Sequence, residues 1–339
     1  MEESRTNLFT YSEELSQKDQ NMTTTDNAAI APTGEQTASL CIPTNSNSEH
    51  YIDDAAVTSG VDYVMSCFAK YGSGTYLLAF RGAGIGNNPP RFDLATGTIE
   101  NNSPSDKWSN LKMEAVGNGW YRCSAVATPN STSPLRFQLV SSTGGASYVG
   151  DGTGHYLWGL QIEEAGSFPT SYIKTTGSTA TRSADVASIP VADFGYNQSA
   201  FTVSIEASHL YDTFPSFNRF WELSGGGDTV GLYGNSGSSS YVSMTVGGVS
   251  QVSFSDGAEA AANANTFMKY AVGLKTNDFD IARDGSLDAG DTSIIMPDAI
   301  DTLAVGRALN GSAQLNGHIK SIKYYPRRLT NVQLQDLTS

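Results

Sequence analysis

Apolar and polar residues alternate along most of this chain, in short runs cut by glycine, asparagine and proline. Tyr156, Trp158, Leu160 and Ile162 alternate with Leu157, Gly159, Gln161 and Glu163, which predicts a half-buried strand with one greasy face. Phe201, Val203 and Ile205 repeat the pattern in the second half. Asn118-Gly119, Gly247-Gly248, Thr276-Asn277 and Asp284-Gly285 separate such runs and predict tight hairpins. Residues 17–36, polar and threonine-rich, read as a connection without structure. A helical pattern occurs only over residues 330–337, where Thr330 and Gln333 form a capping box and Leu334 and Leu337 share a face. With no helices to cover a sheet, sheets must cover each other. The expectation is an all-β chain of two tandem antiparallel β-sandwich domains, 1–178 and 179–339, with a short C-terminal helix.

Composition narrows the partners. The chain has 339 residues, enough for two domains of about 150 residues each. A formal net charge of −14 argues against nucleic acid, since phosphate binding needs clustered Lys and Arg. The same charge repels an anionic membrane or polysaccharide, and no apolar run is long enough for membrane insertion. Cys41, Cys67 and Cys123 lack metal-ligand spacing and lie in or near strands, where cysteine is a small apolar filler, so free buried thiols are expected. Met1-Glu2-Glu3 is acidic with no apolar run behind it, so synthesis in a cytoplasm without secretion is expected.

Candidate chemistry is sparse. An exposed indole covers the apolar face of a sugar ring. Trp120 and Trp158 lie on strands and read as core, whereas Trp108 stands in the polar stretch SPSDKWSN. Trp108 is therefore the first candidate for glycan binding, with Tyr148 and His155 beside a glycine-rich turn as its companions. Glu163-Glu164 is no hydrolase dyad, because adjacent strand residues point to opposite faces; a solvated strand end is expected instead. The glycines of residues 82–90 have no helix behind them and are not a phosphate cradle. Asp280, Asp284, Asp288 and Asp291 fall at places one, five, nine and twelve of a calcium loop, but Ala282 stands at place three. Two readings follow: an Asp284-Gly285 hairpin with the acids splayed apart, or a sandwich rim in which Asp280, Asp284 and Asp288 hold calcium. No other cofactor is expected, and no histidine pairing or GxSxG elbow points to an enzyme.

Two stretches carry resemblances. Residues 147–185, with "DGTGHYLWG", "GSFPTSYI" and "TTGSTATRSADV", together with NLFTYSEE, FDLATG and GNGWYR further upstream, resemble a module of tailed-phage virion proteins of the tail-fibre or spike type. That resemblance covers about the first half and implies a carbohydrate-binding-like jelly roll. The ending GHIKSIKYYPRRLTNVQLQDL resembles laminin-G-like, concanavalin-A-like lectin domains, and implies a second jelly roll over residues 187–339. The E-x-D-x-x-E strand of glucanases is missing from it. Together the resemblances imply a non-enzymatic virion surface protein, made in the host cytoplasm, that contacts host cell-surface polysaccharide and other virion proteins. The edge strands that single sandwiches leave, and the avidity of several weak sites, add the expectation of a homo-oligomer, a trimer by preference. The alternatives are a structural capsid or tail decoration protein and a polysaccharide depolymerase.

Overall fold

The structure is a computed structural model that describes residues 1–82, 84–86, 88–101, 107–164, 166–211, 217–235, 239–255, 265–288 and 290–339. Ala83 and Asn87 of the loop at 82–90, and residues 103–106 before Trp108, lie outside the described residues. The chain forms two units, Ser4–Ser183, and Met1–Glu3 together with Ala184–Ser339. The described elements are strands, two short 3-10 turns and one α-helix, an all-β architecture. No helix among the described residues is long and apolar enough to cross a membrane.

In the unit Ser4–Ser183, one sheet runs Trp108–Gly117, Trp120–Ala127, Tyr63–Lys70, His155–Glu164, Arg5–Asn7, Ala180–Arg182. Its partner runs Ser147–Tyr148, Ser48–Ala56, Pro134–Val140, Leu77–Gly82, Arg91–Asp93, Thr98–Asn101. Alternate residues of each sheet meet in one buried cluster: Met65, Cys67 and Ala69 from the first, Leu135, Phe137 and Leu139 from the second. Burying each large apolar side chain contributes about 1.5–3 kcal/mol. Cys41, Cys67 and Cys123 are buried and free, and burial pushes the Cys41 and Cys123 thiols far above their ordinary range, so they are inert filler. The Asn118-Gly119 hairpin forms as predicted, with φ of 52° and 76°, the two positive values that a two-residue turn matching the sheet twist requires.

Three expectations fail here. Within residues 17–36, Met22–Ala29 is a strand paired with Ala38–Pro43, because β-branched threonines suit an edge strand that alternates buried and exposed positions. The second concerns residues 156–163, which do not keep one greasy face. Trp158 pairs with Phe68 but Gln161 with Ser66, so an extra residue bulges out at Gly159, whose φ is +63°. A glycine in the left-handed region is the hallmark of such a bulge. The bulge sends Leu157, Leu160 and Ile162 into the main core and leaves Trp158 outside it. There Trp158 packs with Trp120, Ala31 and Ala38 in a separate cluster under the Met22–Ala29 hairpin. A Cβ at Gly159 would lie 3.2–3.3 Å from the Phe68 and Tyr172 rings. Glu163 is no solvated strand end either. It is fully buried and accepts from the Thr170 amide at 3.1 Å, the hydrogen bonding that an interior carboxylate needs.

The second unit repeats the layering. A sheet Ser188–Pro190, Thr302–Val305, Asn218–Gly225, Asp228–Asn235, Ser239–Val246, Val249–Ser255 packs on Ser286–Leu287, Asp278–Arg283, Met268–Lys275, Ala200–His209, Gly317–Tyr325. Phe201, Val203 and Ile205 meet Trp221, Leu223, Val230 and Leu232 in its core. The helix Asn331–Thr338 starts with the predicted box, Thr330 and Gln333 capping each other. Its Leu334 packs with Leu329 on Ala271 and Ala282 of the five-stranded sheet.

Candidate functional site

The strand Asn218–Gly225 positions a concave surface in the second unit. Arg219 pairs with Tyr233 across the sheet, but Trp221 pairs with Leu232, so Phe220 is an extra residue and the strand bulges. Phe220 and Trp221 both turn into the core and are fully buried. The bulge resets the alternation beyond it. Arg219 and Glu222, three apart, would face opposite ways on a regular strand; here both line one hollow on the outer face. The Arg219 Nε donates to Glu222 Oε2 at 2.9 Å.

The hollow measures about 720 Å³ and is lined by Phe217, Arg219, Glu222, Ser224, Thr229 and the loop from Ala308 to Ala313. Phe217 is 51% exposed and meets the Tyr233 ring edge-on at 5.4 Å. The Arg219 guanidinium lies 4.1 Å from the Tyr233 centroid, a cation–π contact that fixes its plane. Burial raises the Tyr233 phenol above its ordinary range, against the opposing pull of Arg219. Tyr233 also packs on Tyr241 at 5.0 Å. Opposite Glu222 in the register is Gly231, where a Cβ would come within 2.9 Å of the Trp221 carbonyl oxygen, so the sheet is bare at that point. The wall is a tight loop. Asn310 accepts from the Ser312 amide at 3.0 Å, and the Leu309 amide donates to Glu222 Oε1 at 3.0 Å. A neighbouring pair of a fixed donor and a fixed acceptor, beside an exposed aromatic ring, suits a ligand with an apolar face and polar edges.

The residues singled out from sequence lie elsewhere. Trp108 opens the strand Trp108–Gly117 and is 6% exposed; it packs in the main core, opposite the small Ala127, so it offers no stacking surface. His155 is fully buried. Its Nε2 donates to the Tyr76 carbonyl at 2.8 Å and its Nδ1 accepts from the Gly72 amide at 3.3 Å, so it ties a loop down. Burial lowers its basicity, in keeping with a neutral ring. Tyr148 is half-buried, 5.0 Å from the Tyr76 ring and 4.7 Å from His50, and its hydroxyl donates to the Leu139 carbonyl at 3.0 Å. The structure thus brings Tyr148 and His155 to the same neighbourhood around Tyr76, without Trp108. A smaller hollow of about 240 Å³ beside them is lined by Tyr71, Tyr76, Asp93 and Glu100.

The acidic strand has protein partners for its carboxylates. Asp278 accepts from Arg328 Nε at 3.0 Å and from Lys275 at 3.0 Å, and Asp280 is paired with the same Arg328 guanidinium. Asp284 sits in the hairpin turn with φ of 44° and accepts from the Lys269 amide at 2.9 Å. Asp291 accepts from the Ser293 amide at 2.8 Å, and the Asp288 amide donates to the Ile281 carbonyl at 2.9 Å. Among the described residues no three His, Cys, Asp or Glu side chains converge as a metal site. Arg328 bridges Asp278 and Asp280, while the hairpin turn carries Asp284 to the Lys269 amide. The Arg328 side chain is only 7% exposed.

Sequence alternation missed Arg219 and Glu222 because counting by twos puts them on opposite faces. The signal was the adjacent pair Phe220-Trp221, two large apolar residues where an alternating strand has room inside for one.

No protein-family model matches the chain, and no curated protein matches it. Among solved structures it is similar to the Ruminococcus gnavus IT-sialidase CBM40 bound to alpha2,3 sialyllactose, at 14% identity and a TM-score of 0.38, over 44% of this chain and 87% of that one. It is similar to domains LG4-5 of the mouse laminin alpha1 chain, at 12% identity and a TM-score of 0.35, over 92% of each chain. It is also similar to the native heptameric SAP-like pentraxin from Limulus polyphemus, at 11% identity and a TM-score of 0.35, over 41% of this chain and 70% of that one. These likenesses assign it neither a family nor a ligand.

Proposed function

We propose that this chain is a non-enzymatic virion surface protein that holds host-surface glycan in the hollow of its second sandwich. The observation that carries the glycan reading is the exposed Phe217 ring beside the fixed Arg219–Glu222 pair. A sugar ring has an apolar face for the one and hydroxyls for the other. Glu222 is the single carboxylate among the described lining residues, and hydrolysis of a glycosidic bond ordinarily needs two, which supports binding over depolymerisation. The virion part of the reading is supported by the phage-type sequence module of the first half. Several weak sites presented together gain avidity, so the working form is a homo-oligomer, a trimer by preference.

A glycan array with the purified chain tests the ligand, and antibody labelling of intact particles tests the location. Phe217→Ala should weaken binding at least tenfold without moving the melting temperature, because that ring is half exposed. An array on which the native chain binds nothing would end the glycan reading.

A further inference from the structure

The hollow also has a charge logic, and the following rests on the glycan reading above. Arg219 is the only cation among its described lining residues, and Glu222 is its only anion. The two neutralise each other at 2.9 Å. Each is held on its far side as well: the guanidinium over the Tyr233 ring, the carboxylate by the Leu309 amide. The Arg219 side chain is 21% exposed, and its guanidinium carries more N–H donors than the Nε given to Glu222. A sugar hydroxyl both donates and accepts, and can therefore bridge that guanidinium and the Glu222 carboxylate. A carboxylate, sulfate or phosphate on the sugar accepts only. It would meet Arg219 with Glu222 alongside, in a chain of net charge −14, and like charges so close repel. Ser224, Thr229 and Ser312 add neutral hydroxyls to the lining.

We infer that the hollow selects neutral, hydroxyl-rich sugars and rejects acidic ones, with Glu222 as the residue that sets the discrimination. An array carrying neutral glucose-, galactose- and mannose-based oligosaccharides beside sialylated, uronate-containing and sulfated ones tests this. The native chain should bind at least one neutral series, with acidic derivatives of the same backbone at least tenfold weaker. Glu222→Gln removes the negative charge at constant volume. It should narrow that gap at least threefold in favour of the acidic ligands, with a circular-dichroism melt confirming the fold. Phe217→Ala, at an exposed position, should weaken the neutral ligands and leave the fold intact. Acidic glycans bound as well as or better than neutral ones, with that binding lost in Arg219→Ala, would overturn the selectivity and leave the glycan reading standing. Binding of neither class would overturn both.

Discussion

His155 is the residue through which pH should reach the first sandwich. Burial draws its basicity below the ordinary 6.5, so the unfolded chain takes up a proton that the folded chain resists. The sign follows: the contribution of His155 to stability is complete above pH 6.5, and is lost as pH falls below it toward the depressed folded value. Melting followed from pH 7 to pH 5 in the native chain and in His155→Gln should show the variant less stable at pH 7 but with a shallower decline. Parallel declines would mean that the ring does not titrate in this window. His155 and Glu222 illustrate one rule at residue scale. A polar side chain in this protein acts through the two groups that fix it, and its exposure decides whether anything else can reach it.

At the scale of elements, what the sequence shows and what it hides divide at the bulges. Hairpins such as Asn118-Gly119 and Asp284-Gly285 were legible because positive φ demands particular residues, and the terminal helix was legible from its capping box. The strand Met22–Ala29 was hidden because an edge strand with one covered side looks like polar loop. The bulges at Gly159 and Phe220 were hidden because one extra residue inverts every face assignment beyond it, and the second of these builds the hollow. Gly159→Val should therefore cost about 1–3 kcal/mol through crowding of Phe68 and Tyr172, with a further penalty for a β-branched residue at positive φ, measurable by urea unfolding. The strand Asp278–Arg283 carries a second expectation. Burial works against ionised Asp278, but hydrogen bonding from Lys275 and the charge of Arg328 outweigh it and hold its carboxyl below the ordinary 3.8. Its stabilising effect is thus present above pH 3.8 and is lost as pH falls through the lowered value. Asp278→Asn should lower the melting temperature at pH 7 and make little difference at pH 2. Since Arg328 already holds Asp278 and Asp280, millimolar calcium should leave the melting temperature unchanged. A rise of several degrees that Asp284→Ala abolishes would restore the calcium reading.

At the scale of the whole molecule, chain order and fold order differ. Arg5–Asn7 lies beside Ala180–Arg182, so the chain enters and leaves the first sandwich at neighbouring strands. That sandwich is an insertion, and the residues before it, Met1–Glu3, belong to the second unit. Their attachment is specific. The Glu2 amide donates to Asp185 at 2.9 Å and the Glu3 amide to Asn316 at 2.7 Å. The Gly317 amide donates to the Met1 carbonyl at 2.8 Å, and the Gln314 amide group donates to the Glu2 carbonyl at 3.0 Å. The Met1 side chain packs against the second core. Two separate cores imply two unfolding transitions. Net hydrogen bonds contribute about 1 kcal/mol each. Removing residues 1–3 should therefore destabilise the second sandwich by roughly 2–4 kcal/mol, lowering its transition by about 5–10 °C. Calorimetry would show that shift, and hydrogen exchange would place it: protection should fall in Asn218–Gly225 and hold in Tyr63–Lys70. A shift confined to the transition of the first sandwich would assign the tripeptide to that unit instead, and the insertion topology would have to be abandoned.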